Sequence, residues 1–201
     1  MGGDDVHTLI EKMDPVTLIG RPVCPETILP RGLDPENVIF LNIETTGLMP
    51  RRHFIYTIGI LYFSEGHYQM LHLTAPHKME ERLILTELKK ILDQKKTIIA
   101  YSAKAFTLRF MDDRFNLYHD EPLLGEQTII DLKEAALKVK HLLQLDNVRK
   151  TTLITSYLKE EAPAKTGKDL IEVYYNWEDT ADPVLLDLIL AHQHPDLIRL
   201  F

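Results

Sequence analysis

From Val38 onward, short apolar runs alternate with longer stretches in which apolar residues return every three or four positions. Val38–Ile43 is β-branched and aromatic and ends in Thr-Thr-Gly, which predicts a buried strand followed by a turn. Phe54–Phe63 is a second, nearly continuous apolar run, and Ser64-Glu65-Gly66 turns it into His67–Leu73 as a hairpin. Three antiparallel strands in succession are therefore expected. Ile84, Leu85, Leu88, Ile91 and Leu92 share one helical face, which predicts a helix over about 79–93. Thr97–Tyr101 is a short strand, about 104–117 a helix, and Thr128–Asp131 a fifth strand. Leu132, Ala135, Ala136, Val139, Leu142 and Leu143 form the cleanest apolar stripe in the chain. Helices follow over about 151–159, 167–177 and 182–193. This order predicts an α/β fold: a mixed five-stranded sheet, three antiparallel strands first, flanked by helices.

Residues 1–36 behave differently. Pro15, Pro22, Pro25, Pro30 and Pro35 interrupt them and no apolar period is sustained, so they are expected to be an N-terminal extension of mostly loops. The single domain is expected over residues 37–201. No segment looks like a signal peptide or a membrane span, and the one cysteine, Cys24, excludes an internal disulfide. These features suit a cytoplasmic protein with no membrane partner. The net charge of −7 disfavours a broad duplex-gripping surface, though not a local one.

Asn42 and Glu44 lie two apart on a predicted strand, so they share a face, and the Thr-Thr-Gly turn leaves that face open at the strand's end. A polar pair that only caps the turn is the alternative. Leu185, Leu188 and Ile189 place His192 on an inner helical face with Asp196 one turn later, although Pro195 is expected to kink or restart the helix there. Leu170, Val173, Tyr174 and Trp177 form one stripe and suit core better than base stacking. Arg51-Arg52, Lys95-Lys96, Arg149-Lys150, Lys165 and Lys168 are surface cations that matter only if they cluster in space.

The segment Phe40-Leu41-Asn42-Ile43-Glu44-Thr45-Thr46-Gly47-Leu48 is similar to the first motif of the DEDD exonuclease superfamily, Asp-x-Glu-Thr-Thr-Gly-Leu. The rest resembles the YprB-like branch of ribonuclease-H-like proteins. Tyr101-Ser102-Ala103-Lys104-Ala105-Phe106-Thr107-Leu108-Arg109-Phe110 resembles that branch's Tyr-Asn-Gly-x-x-Phe-Asp-x-x-Phe, and His192-Gln193-His194-Pro195-Asp196 its terminal His-Asn-x-x-Asp. The resemblance implies a ribonuclease-H-like fold and metal-dependent 3′–5′ phosphodiester hydrolysis. In that chemistry four carboxylates hold two Mg²⁺ or Mn²⁺ ions about 4 Å apart. It implies Asn42, Glu44, Thr107 and Asp196 as ligands, with His192 and Glu44 as the catalytic pair. It also implies contacts to single-stranded DNA or RNA by Thr45, Thr46, Gly47, Leu48, Tyr101, Ser102 and Phe106. Asn42 and Thr107 are uncharged, so ligand charge falls from about −4 to about −2, and metal binding and hydrolysis are expected to be weak or absent. Asp131 is the one carboxylate able to compensate; its alternative role is a helix N-cap. A catalytically dead module that binds protein or nucleic acid is the competing expectation, with any protein partner unknown.

Overall fold

The computed structural model describes residues 7–13 and 29–200. Its strands are β1 (His7–Met13), β2 (Val38–Thr45), β3 (Ile55–Ser64), β4 (His67–Thr74), β5 (Thr97–Ala100) and β6 (Thr128–Asp131). The main helices are α1 (Glu81–Leu92), α2 (Leu108–Phe115), α3 (Leu132–Val139), α4 (Gly167–Thr180) and α5 (Pro183–Ile198). A π-turn at Ala103–Thr107 leads into α2, and a helical turn at Lys150–Thr152 runs into a second π-turn at Leu153–Tyr157.

Among the described residues the strands form one sheet in the order β1-β4-β3-β2-β5-β6. β2, β3 and β4 are the expected antiparallel set, and β5 and β6 run parallel to β2. The five expected strands are all present, with helices on both faces. The sixth, β1, was not foreseen: His7–Met13 pairs antiparallel with Tyr68–Thr74 of β4, while residues 1–6 and 14–28 of the expected extension lie outside the described residues. Thr8, Leu9 and Ile10 have strand propensity, but so short a run, with Pro15 soon after it, shows too little periodicity to predict a strand without the partner edge that supplies its hydrogen bonds.

Alternation along β2 divides the core. Ile39, Leu41 and Ile43 face α1 and α2, meeting Ile84, Leu88, Leu108 and Met111. The opposite face meets Leu197 near Phe40, and Tyr174, Trp177 and Ile189 near Tyr56. Tyr174 stacks on Tyr56 with ring centroids 4.5 Å apart, so the Leu170–Trp177 stripe is core, as expected. The stripe from Leu132 to Leu143 is not: no residue of α3 is buried, and Val139 and, beyond the helix, Leu142 are exposed. No helix of the described residues is long and apolar enough to cross a membrane.

A charged pair sits inside the apolar layer between α1 and α2. The Glu81 side chain is 0% exposed. It accepts hydrogen bonds from the Ile55 amide at 2.7 Å, Arg114 Nε at 2.9 Å and the Tyr118 hydroxyl at 2.7 Å. Arg114 Nη2 also closes on Glu81, and Arg114 Nη1 donates to the Pro50 carbonyl at 2.9 Å. The pair thus joins two helices, the start of β3 and the turn after β2. Removing one partner leaves the other charge buried, whereas replacing both with apolar groups can be close to neutral. Arg114→Met should therefore lower the unfolding free energy by about 3–5 kcal/mol. The double variant Glu81→Leu/Arg114→Met should recover most of that loss in urea titrations. Equal destabilisation of the single and double variants would contradict this account.

Candidate active site

β5 pairs with β2 only as far as Leu41 opposite Ala100. Asn42 and Glu44 therefore extend beyond the parallel partner, at the carboxyl end of the strands where α/β sheets open a crevice. The pairing to β3 shifts between Glu44 and Thr45, a bulge that re-aims the strand at this point. The following turn is self-contained. Thr45 Oγ1 donates to the Gly47 carbonyl at 2.8 Å, and Thr46 Oγ1 accepts from the Phe54 amide at 3.1 Å. Gly47 lies under the His53 ring, where a Cβ would come within 2.6 Å of the imidazole.

Helix α5 supplies the other half of the site. Pro183 at its first turn and Asp182, whose carboxylate accepts from the Val184 amide at 2.9 Å, start it. It crosses β3 at Gly59, where a Cβ would sit 2.5 Å from Leu197 and 2.9 Å from Gln193. Gln193 Oε1 takes hydrogen bonds from Thr57 at 3.1 Å and His72 at 2.8 Å. These contacts lie on both sides of Pro195, and α5 runs through it unbroken to Ile198. The expected kink is thus corrected: sheet packing outweighs the missing backbone donor, and Asp196 stays one turn beyond His192.

Glu44, His192 and Asp196 converge, with one ligand atom from each within 4.8 Å of the others. His192 Nε2 lies 4.0 Å from Glu44 Oε1 and 3.9 Å from Asp196 Oδ2, too far for hydrogen bonds. Two cations close on Asp196: Lys150 Nζ at 2.7 Å from Oδ2 and Arg199 Nη1 at 3.3 Å from Oδ1. Gly167, the first residue of α4, lies against Glu44, since a Cβ there would be 3.4 Å from Oε2, so the positive end of that helix faces the carboxylate. Asn42 points the same way as Glu44, and its buried side-chain amide faces that carboxylate and helps hold it charged. Thr107 is buried, and its hydroxyl donates to the Tyr101 carbonyl at 3.2 Å. Asp131 takes its alternative role, capping α3 by accepting from the Lys133 amide at 3.0 Å, and it also accepts from the Lys104 amide of the π-turn at 3.1 Å.

Burial pushes the Glu44 carboxyl up to about 7; Lys150 opposes the shift and Asp196 adds to it. Burial also lowers the His192 imidazole below its usual value, with Asp196 opposing and Lys150 and Arg199 contributing. At neutral pH His192 is therefore mainly neutral and able to accept a proton.

The residues expected to touch nucleic acid divide. Thr45 and Thr46 are buried and their hydroxyls hold the turn. The Tyr101 hydroxyl donates to the Val148 carbonyl. Ser102 takes a left-handed conformation, φ 52°, before the π-turn, a geometry that suits the family's Asn better than Ser. Leu48 is exposed, and Phe106 lines a groove beside it. Lys150 was not foreseen as a site residue. It lies 46 positions from Asp196, and its pairing with Arg149 suggested only a surface cation.

A family model of the RNase H superfamily matches residues 39–201. The chain belongs to the ribonuclease H superfamily. Among solved structures it is similar to one described as "apo form of the nuclease", at 14% identity and a TM-score of 0.45, over 81% of this chain and 75% of that one. No curated protein matches.

Ribonuclease-H-like proteins generally use divalent metal ions, and the cluster of Glu44, His192 and Asp196 could hold one. The donor set does not fit two. It contains two carboxylates, and both oxygens of Asp196 already face cationic side chains. Without the opposing charge of four carboxylates, a second dication would meet the Lys150 ammonium at close range.

The raised Glu44 carboxyl fixes the sign of a pH effect. Between the ordinary carboxyl value of 4.5 and about 7 the folded state holds a proton that the unfolded chain has released. Glu44's contribution to stability is thus complete below 4.5 and declines as pH rises to about 7, by up to about 3 kcal/mol. In chelator, Glu44→Gln should gain stability over the native chain as pH rises from about 5 to 8. A difference between the two proteins that does not change with pH would contradict the shift.

Proposed function

We propose that this ribonuclease-H-like chain is an exonuclease-like protein of the DEDD type, related to the YprB-like branch, whose metal-dependent 3′–5′ hydrolysis is weak or lost. The observation that supports this is the Lys150 ammonium, 2.7 Å from Asp196 beside Glu44 and His192. It supplies positive charge where the family's chemistry uses metal. Asn42 and Thr107, at the other two carried-over ligand positions, bring no charge of their own. Glu44 and Asp196 would be the remaining ligands. His192 is placed to take a proton from an attacking water if a single ion binds.

A second role, a binding module without catalysis, draws support from two exposed surfaces. The exposed apolar residues of α3 and the turn after it, Leu137, Val139 and Leu142, suit a protein partner. The groove beside Leu48 suits nucleic acid.

Labelled single-stranded DNA and RNA should be cut weakly or not at all by the native protein with Mg²⁺ or Mn²⁺. Calorimetry should detect at most weak binding of either ion. Asn42→Asp/Thr107→Asp/Lys150→Met should bind Mn²⁺ at least tenfold more tightly, because two charges are restored and a competing ammonium is removed. Robust metal-dependent cleavage by the native chain, abolished in Glu44→Ala, would refute the loss of hydrolysis. No gain of Mn²⁺ binding in the triple variant would refute the ligand assignment.

A further inference from the structure

A lysine side chain is a poor lock by itself. Its ammonium rides on a flexible four-carbon stem, and a partly exposed pair with one carboxylate adds little to stability. Lys150 is such a residue, with 28% of its side chain exposed. Yet its Nζ stands 2.7 Å from Asp196 Oδ2, the same oxygen that lies 3.9 Å from His192 Nε2. The backbone that carries Lys150 accounts for this. Leu145 and Val148 are buried, while Asp146 and Arg149 face solvent. The Asn147 side chain accepts from the Arg149 amide at 2.9 Å and from the Thr152 hydroxyl at 2.8 Å. It bends the segment into the helical turn that Lys150 opens.

A hydrogen bond reaches the segment from the sheet as well. The Tyr101 hydroxyl donates to the Val148 carbonyl, two residues before Lys150. Tyr101 follows β5 directly and is fixed in turn, because Thr107 donates to its carbonyl at 3.2 Å. Hydrogen bonds and short chain links thus run from Thr107 through Tyr101, Val148 and Lys150 to Asp196. They cross the crevice from one carried-over ligand position to another. A carbonyl on a surface segment can be hydrated at little cost, so the Tyr101 bond adds little to the stability of the fold. Its main effect is to set where the segment, and with it the Lys150 ammonium, rests.

We infer that residues 145–152 form a plug over the carboxylate cluster and that Tyr101 is the positioning residue that seats it. The inference rests on the weak metal site proposed above and deepens it. The site is closed by an ammonium that can be withdrawn, as well as by the uncharged Asn42 and Thr107 at two ligand positions. Withdrawal would leave Asp196 Oδ2 open beside Glu44 and His192, the condition for taking up a single divalent ion. Tyr101 thus acts on the site through Lys150.

Tyr101→Phe is the test, because it removes the hydroxyl and keeps the ring. In chelator, acylation of Lys150 by an activated acetate ester is followed by mass spectrometry, with exposed Lys138 as the internal reference. Lys150 should react more slowly than Lys138 in the native chain. In Tyr101→Phe it should react about threefold faster than in the native chain, the change that one net hydrogen bond supports, with Lys138 unaltered. Mn²⁺ binding, read by calorimetry and water-proton relaxation, should tighten by a similar factor, about threefold. Lys150→Met should tighten it too, and adding Tyr101→Phe to Lys150→Met should change nothing further. That non-additivity separates seating of the lysine from a general loosening of the segment.

Unchanged acylation of Lys150 in Tyr101→Phe would overturn the inference. So would an equal gain in Mn²⁺ binding from Tyr101→Phe with and without Lys150, which would place the effect of the hydroxyl elsewhere. A gain in Lys150→Met with none in Tyr101→Phe also overturns it, but leaves the proposed metal site standing. No gain in Lys150→Met is the failure of that site reading itself, and the plug falls with it.

Discussion

The Glu81–Arg114 pair holds together parts of the molecule that sequence keeps far apart. A fully buried carboxylate is tolerable only when each of its oxygens is engaged, and here the Ile55 amide, the Arg114 guanidinium and the Tyr118 hydroxyl do so. Once formed, the arrangement sets the start of β3, the approach of α1 to α2 and, through Pro50, the path of the turn after β2. The crevice at the end of β2 and the groove across the turn therefore share one anchor. The apolar cluster around it supplies most of the burial, but the ion pair decides the direction in which the chain leaves the sheet.

Around Glu44 the governing quantity is the balance of charge. Two cations, Lys150 and Arg199, close on Asp196, Arg199 also pairing with Glu160, while Glu44 is partly protonated near neutral pH. The protein thus offsets part of the carboxylate charge at this site with its own cationic side chains. Desolvation favours the same outcome, because Glu44 in this setting holds its proton close to neutral pH. A ribonuclease-H-like fold thus carries, at the end of β2, a carboxylate–histidine cluster with a lysine inside it.

Much of the layer architecture was legible in the sequence, because strand and helix periods report which faces are buried. That Glu44, His192 and Asp196 stand out was legible for the same reason, polar side chains on otherwise apolar faces; that they converge is what the structure adds. What escaped has a common cause in contacts between residues distant along the chain. Lys150 meets Asp196 across 46 positions, and Arg114 meets Glu81 across 33. In sequence both cations look like ordinary surface charges. β1 needed the exposed edge of β4 to become a strand, and the helix through Pro195 needed the sheet beneath it. The apolar stripe on α3 was misleading in the opposite sense, since periodicity marks an amphipathic face but not whether this chain covers it.

The absent side chain at Gly59 ties function to folding. Because α5 touches bare backbone there, through Gln193 and Leu197, the helix cannot be lifted without exposing core. His192 and Asp196 ride on the same turns. The crevice therefore has no independent mobility on its α5 side. It belongs to the cooperative unit of the sheet and opens only on the timescale of that unit's own opening. Any ligand held by Glu44 together with Asp196 would register as added protection of the central strands, and its residence would be governed by the stability of the fold rather than by any gate on the α5 side.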